Sequence, residues 1–272
     1  MKENKLKRAN VEIDSVPGLL SPPREAVYDC PKCKDTGWVD GECCVSRCGC
    51  YVDIEIEAFR KTSSCPGNQF FSALENIKEI ESGKMSNTVR ELKEKLDVMV
   101  SPMVKKKKDP HRKEETEIKL LYGSTGHLKT TLALMYAIRR IQKNINNKKY
   151  IRPVYIGWGY LVILMKIFRE AEFSTQKLDE GIQKIRKLFG DVVIIDDIGI
   201  EEGSFAGYQI FPIREIIDNS RVVIFTANTV PGDEVEKKNP ELSLYRYLNY
   251  EKVIDHFRKA TEIEMIGESY RR

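Results

Sequence analysis

Residues 123–130 read Gly-Ser-Thr-Gly-His-Leu-Lys-Thr, and well downstream stands Asp196-Asp197 behind the apolar run Val192-Val193-Ile194-Ile195. The pattern predicts a strand from Ile118 to Tyr122, a glycine-containing loop, and a helix from Thr130 to Ile141. In such a setting backbone N–H groups and a helix N-terminus cradle phosphates. Gly123, Ser124, Thr125, Gly126, His127 and Leu128 would wrap the triphosphate of ATP, with Thr131 in the first helical turn. Lys129 would reach the β- and γ-phosphates, and the Thr130 hydroxyl would ligate Mg²⁺. The second stretch reads as a buried strand that ends in two carboxylates. Asp196 and Asp197 there suit holding the metal's water shell and orienting an attacking water.

One position departs from the phosphate-loop pattern G-x-x-x-x-G-K-[ST], because Leu128 stands where glycine is expected. Glycine serves there by letting the backbone come close to phosphate and by adopting positive φ. A leucine is expected only if the local dihedrals stay ordinary. The alternative is a degenerate loop that binds nucleotide weakly or not at all. Retention of Lys129, Thr130 and both aspartates argues against complete decay.

The cysteines carry a second chemistry. All 7 lie from Cys30 to Cys65, outside the stretch that holds the phosphate loop. Cys30-Pro31-Lys32-Cys33 is a metal knuckle, and Cys48-Gly49-Cys50 supplies a second pair of thiols. Cys30, Cys33, Cys48 and Cys50 suit tetrahedral Zn²⁺. Cys43 and Cys44 leave the second pair open, since either could replace one of its members. A disulfide framework is the rival reading, but the charged start Met1-Lys2-Glu3-Asn4-Lys5 has no apolar signal segment and predicts a cytoplasmic chain. Cys65, beside Pro66-Gly67, reads as a free thiol.

These sites need elements to hold them. A chain of 272 residues accommodates one α/β domain and a smaller module. The hydrophobic share of 41% and charged share of 32% suit a globular chain, and the net charge of +4 neither demands nor opposes a nucleic-acid partner. The most apolar segment, Tyr160 to Phe168, contains Lys166 and is far short of about 20 spanning residues, so no membrane partner is expected. Four zones follow: a polar arm over 1–27, the cysteine module over 28–65 with an amphipathic helix from Val52 to Lys61, a connector over 66–116, and the α/β domain over 117–272. The connector holds a helix from Thr88 to Val98 and the run Lys105-Lys106-Lys107-Lys108, which reads either as a solvated loop or as a phosphate-backbone contact.

From Glu117 on, strand and helix patterns alternate, as a parallel sheet with crossover helices requires. Val154 to Ile156 reads as a strand, Leu161 to Phe168 and Leu178 to Phe189 as helices, Tyr208 to Ile217 as a helix, and Arg221 to Thr226 as a further buried strand. Asn228 follows that strand, where its amide either makes a turn or touches the γ-phosphate or the attacking water.

In combination these motifs resemble the AAA+ ATPases of the DnaC/DnaI-type replicative helicase loaders, with the transposition ATPase IstB as a close cousin. The resemblance covers roughly residues 28–272. Cys-Pro-Lys-Cys-Lys-Asp-Thr-Gly-Trp at 30–38 with the later Cys-Gly-Cys-Tyr looks like the zinc module of the Gram-positive loaders. Phe71-Ser-Ala-Leu-Glu-Asn76 is similar to the segment preceding their ATPase core, Val193 to Gly199 to their Walker B motif, Phe225-Thr-Ala-Asn228 to sensor 1, and Gly267 to Arg271 to the sensor 2 ending.

The resemblance implies an AAA+ P-loop ATPase fold, α/β with a central parallel sheet, preceded by a small zinc-binding module. It implies ATP, Mg²⁺ and Zn²⁺ as cofactors. It places Asp196 on the magnesium water shell, Asp197 in the catalytic position, Asn228 as sensor 1 and Arg271 as sensor 2. For the arginine finger it leaves Arg246 and Arg258 as candidates, with Arg258 slightly favoured. The implied function is ATP-dependent loading of the replicative DNA helicase onto single-stranded DNA, with self-association into an ATP-dependent oligomer. Two alternatives stay open: an IstB-like transposition helper, which the N-terminal cysteines disfavour, and a non-hydrolysing adaptor with a degenerate P-loop.

Overall fold

The computed structural model describes residues 30, 32–33, 38–40, 45–48, 50–62, 65–101, 116–123, 128–144, 151–170, 175–199, 211–229, 255 and 257–265. Two short strands, β1 (Trp38–Asp40) and β2 (Val45–Arg47), pair antiparallel and lead to helix α1 (Cys50–Thr62). Helices α2 (Gly67–Ser82) and α3 (Asn87–Val100) follow. The alternating portion then runs β3 (Glu117–Tyr122), α4 (Lys129–Asn144), β4 (Pro153–Gly157), α5 (Trp158–Glu170), α6 (Thr175–Arg186), β5 (Val192–Ile198), α7 (Phe211–Asp218), β6 (Val222–Ala227) and β7 (Thr261–Glu264).

Five strands make one sheet in the order β4-β5-β6-β3-β7, and every pairing is parallel. Such a sheet must be covered on both faces, which is why Val192 to Ile195 and Val222 to Phe225 are unbroken apolar runs and not alternating ones. One face, carrying Leu121, Ile194 and Ile224, buries against α4 and, beyond it, α1 to α3. The other, carrying Leu120, Val193, Ile195 and Phe225, buries against α5 to α7. The result is three layers with the sheet in the middle. The α/β class with a central parallel sheet, preceded by a cysteine-bearing segment, is as the sequence predicts.

The stretch read as a connector holds more than a link. Its expected helix is α3, capped by the Ser86 hydroxyl, which accepts the Val89 N–H at 3.3 Å. Ahead of it the sequence reading did not resolve α2, whose Phe70, Ala73 and Ile77 recur at the 3- and 4-residue spacing of a helix face and share one core with Tyr136 and Ile138 of α4. Gly83, at φ 73°, ends α2 in the left-handed conformation that glycine adopts without a steric penalty. Val52, Ile56 and Phe59 of α1 enter the same core, so the cysteine module is tied to the α/β body through this helix. Among the described residues no helix is long and apolar enough to cross a membrane.

Candidate nucleotide and metal sites

Because the sheet is parallel, the C-terminal ends of β3, β5 and β6 open on one edge, where α/β folds bind ligands. β6 lies between β3 and β5, so Asn228, just past β6, stands between the loop leaving β3 and the carboxylates ending β5. The loop begins at Gly123, whose φ is 140° and where a Cβ would collide with the Met265 carbonyl oxygen. The Met265 N–H in turn donates to the Tyr122 carbonyl at 2.8 Å, so the chain leaving β7 is fastened beside the loop's first residue. Ser124, Thr125, Gly126 and His127 lie outside the described residues.

Leu128 differs from expectation. Its φ is 53°, left-handed and not ordinary, although its side chain packs on the core beside α4. A left-handed non-glycine residue costs roughly 1–2 kcal/mol. Its carbonyl accepts the Leu132 N–H at 2.9 Å, closing the first turn of α4. Lys129 follows at 5% exposure, and its ammonium donates to the Gly123 carbonyl at 2.9 Å, across the mouth of the loop. A buried cation held over a helix N-terminus is suited to phosphate.

The structure brings Thr130 and Asp196 together. The Thr130 hydroxyl donates to Asp196 Oδ1 at 2.8 Å, and Asp196 is only 2% exposed. Thr226 donates to the same oxygen at 2.6 Å, and the Tyr155 hydroxyl donates to Oδ2 at 2.7 Å. Burial, then the neighbouring Asp196 charge, push the Tyr155 phenol far above its ordinary range, so it stays a donor. Hydroxyls directed at both oxygens supply the partners that a buried carboxylate needs.

Asp197 owes its place to an irregularity in the ladder. Ile195 pairs with Phe225 and Ile198 with Ala227, so β5 carries one residue more than β6 across this step. Asp197 takes φ 62°, and its N–H donates to the Thr226 hydroxyl at 2.8 Å. Such a bulge re-aims a side chain that strict alternation would turn to the opposite face. Leu128 and Asp197 are the only described non-glycine residues with positive φ, and both sit at this edge of the sheet. Both residues therefore carry backbone strain at the edge where the candidate site lies.

Of the arginine candidates, Arg258 alone falls among the described residues. Arg258 is exposed, its guanidinium 2.8 Å from Asp255, while its neighbour Phe257 is buried against Phe225. Arg271, Arg246 and Lys105 to Lys108 lie outside the described residues. A second basic cluster in the sequence, Lys184 to Lys187, ends α6 and runs just past it; Lys184 and Lys187 share a surface with Asp179 and Glu180, so their charge is opposed locally.

At the other end of the chain, the sulfurs of Cys30, Cys33, Cys48 and Cys50 all lie within 4.8 Å of one another. Cys30 to Cys48 is 3.7 Å and Cys33 to Cys50 is 3.3 Å. Four sulfurs about 2.3 Å from a shared centre stand roughly 3.8 Å apart, whereas a disulfide needs about 2.05 Å. Among the described residues no disulfide joins these cysteines. Backbone N–H groups of Cys33 and Lys32 bring the Cys30 thiol down to about 7, which favours the thiolate a metal requires, while burial pushes Cys50 up. The four thiols could therefore hold a metal ion, and zinc fits the donor set. Of the alternatives for the second pair, Cys48 and Cys50 are the ones assembled here; Cys43 and Cys44 lie outside the described residues. Cys65 is half buried and free.

No protein-family model matches the chain, and no curated protein matches it either. Among solved structures it is similar to the crystal structure of DnaI, at 17% identity and a TM-score of 0.44 over 77% of this chain and 95% of that one. It is also similar to replication initiator DnaA bound to AMPPCP and single-stranded DNA, at 13% identity and TM-score 0.37, covering 66% of this chain. The Aeropyrum pernix ORC1 protein in complex with DNA is a third, at 18% identity and TM-score 0.37, covering 68% of this chain. The chain spans about half the length of the latter two, 46% in each case.

Sequence reasoning missed Tyr155 and the part played by Thr226. A tyrosine within a strand usually signals packing, and no spacing rule connects it to a carboxylate on the next strand. A threonine in an otherwise apolar buried strand was the one legible hint.

Proposed function

We propose that this chain is an ATP-dependent loader that places the replicative DNA helicase on single-stranded DNA during replication initiation. The observation that carries the reading is the contact of Thr130 with Asp196 at the open edge of a parallel sheet, in a chain that also gathers four thiols near its start. Lys129 would neutralise the β- and γ-phosphates of ATP. Thr130 and Asp196 would hold the nucleotide's Mg²⁺, the second through water. Asp197 would orient the attacking water, and Asn228 would keep it in line. Arg271 would reach the γ-phosphate from the C-terminal segment, and Arg258 would serve a neighbouring subunit, which calls for ATP-dependent self-association. Cys30, Cys33, Cys48 and Cys50 would hold Zn²⁺, which supplies structural cross-linking, in a module that grips the helicase. The proposed domains are the arm 1–27, the cysteine module 28–65, the segment 66–116 and the ATPase domain 117–272, in the cytoplasm.

A specific observation favours a second reading. Leu128 puts a side chain where the pattern has glycine and the backbone must come close to phosphate, which suits a loop that binds nucleotide without turning it over and would make the chain an adaptor. ATP turnover with and without single-stranded DNA separates the two: stimulated turnover supports the loader, and none at saturating ATP supports the adaptor. Co-purification with a replicative helicase is the decisive test of the partner. Failure to bind it, with ATPase activity intact, would turn the reading toward a transposition helper.

A further inference from the structure

Asp196 is held at both oxygens, and the two holds are not alike. Thr130 is already assigned to the nucleotide's metal in the proposed function. When its hydroxyl turns away, Oδ1 keeps the donor from Thr226 and Oδ2 keeps the donor from Tyr155. One donor on each oxygen fixes the plane of the carboxylate, which would otherwise rotate about its last bond.

The placement follows from the sheet. Gly157 is the direct ladder partner of Asp196, and Tyr155 pairs with Ile194, so Tyr155 stands diagonally across on the same face with no side chain between them. At 9% exposure the tyrosine is buried, and its hydroxyl reaches the carboxylate at 2.7 Å. Packing alone would be served by phenylalanine, which spares the cost of burying a hydroxyl. Thr226 is fully buried, and its single hydroxyl accepts the Asp197 N–H while donating to Asp196. Valine would fill that space but would sever the link between the two aspartates.

We infer that Tyr155 and Thr226 are positioning residues that hold the Asp196 carboxylate for the nucleotide-bound divalent cation. They set the cation requirement of nucleotide binding, and not the affinity for the nucleotide itself. The inference rests on the nucleotide-site reading of the proposed function. Outer partners of metal-binding groups commonly change metal affinity by about 10- to 100-fold. Because Asp196 would act through water, the lower end applies.

The test titrates a fluorescent ATP analogue into the full chain, in EDTA and at graded Mg²⁺. Tyr155→Phe and Thr226→Val should bind within about twofold of the parent in EDTA, and their Mg²⁺ midpoint should rise about tenfold. Thr226→Ser, which keeps the hydroxyl, should restore the parent midpoint. Parent-like midpoints in both variants would overturn the inference. So would equal losses with and without Mg²⁺ that serine fails to rescue, since the hydroxyls would then only support the fold. If the parent chain binds the analogue indifferently to Mg²⁺, or not at all, the nucleotide-site reading falls and the inference with it.

Discussion

The two candidate sites are built on opposite principles. The thiol cluster draws its ligands from a short stretch of chain, with two three-residue strands and the start of α1 between or beside them. So small a module has little apolar surface of its own, and cross-linking through its sulfurs is what would hold it. The candidate nucleotide site draws on residues far apart in sequence, Lys129 and Thr130, Tyr155, Asp196 and Thr226, each on an element already locked into the two large cores. One site is assembled by its ligands and the other by the fold beneath it. Among the described residues α1 links them: it opens at Cys50 and buries Phe59 beside Phe70 of α2, their rings 5.8 Å apart.

If that contrast is right, damage to the nucleotide site should be local. Lys129→Ala should leave the melting transition nearly unchanged yet weaken ATP binding at least about a hundredfold, the ~3 kcal/mol of a charge-assisted contact to phosphate. Calorimetry at millimolar nucleotide checks it, and unaltered affinity would break the comparison at once. Asp197→Asn should retain binding, since asparagine accepts positive φ as readily as aspartate. Turnover should fall about a hundredfold or more, the usual share of a water-activating carboxylate, measured as phosphate release.

Damage to the cysteine module should instead spread along its own segment. Purified protein should carry one bound zinc per chain by elemental analysis. Chelation should raise hydrogen exchange across 38–40, 45–47 and the first turn of α1, while the amides of α4 stay protected and ATP binding changes less than about twofold. Cys30→Ser should do the same and impair helicase binding. Loss of protection in α4 on chelation would show that α1 couples the sites more tightly than the contrast allows.

The smallest effect belongs to Leu128→Gly. Relief of left-handed strain is set against lost packing and added chain entropy, so stability should move by less than about 1 kcal/mol. Nucleotide affinity should rise about threefold as the backbone nears the phosphates, read by the same calorimetry.

The contrast also explains what the sequence made legible. Cys30 and Cys33 were legible as a knuckle because local spacing alone implies chelation, whereas spacing left the second pair open among Cys43, Cys44, Cys48 and Cys50. Lys129, Thr130 and Asp196 were legible because loop, helix and apolar strand announce themselves in short windows. Tyr155 was not, since its meaning depends on β4 lying beside β5, which no local pattern states. Asp197's bulge was hidden as well: two adjacent aspartates predict opposite faces, and only the mismatch against β6 reveals the extra residue. Helix α2 could have been read from Phe70, Ala73 and Ile77, whose spacing is that of one helix face. Leu128 shows the converse, a residue whose identity argued for ordinary backbone while its position demanded the opposite.

One feature joins the end of the chain to this machinery. The Met265 carbonyl occupies the space a side chain at Gly123 would need, and the Met265 N–H holds Tyr122. β7 therefore behaves as a latch on the mouth of the loop, set more than a hundred positions after it in sequence. Loss of β7 and Met265 would therefore remove, in one step, both the hydrogen bond that holds Tyr122 and the carbonyl that closes off the space beside Gly123.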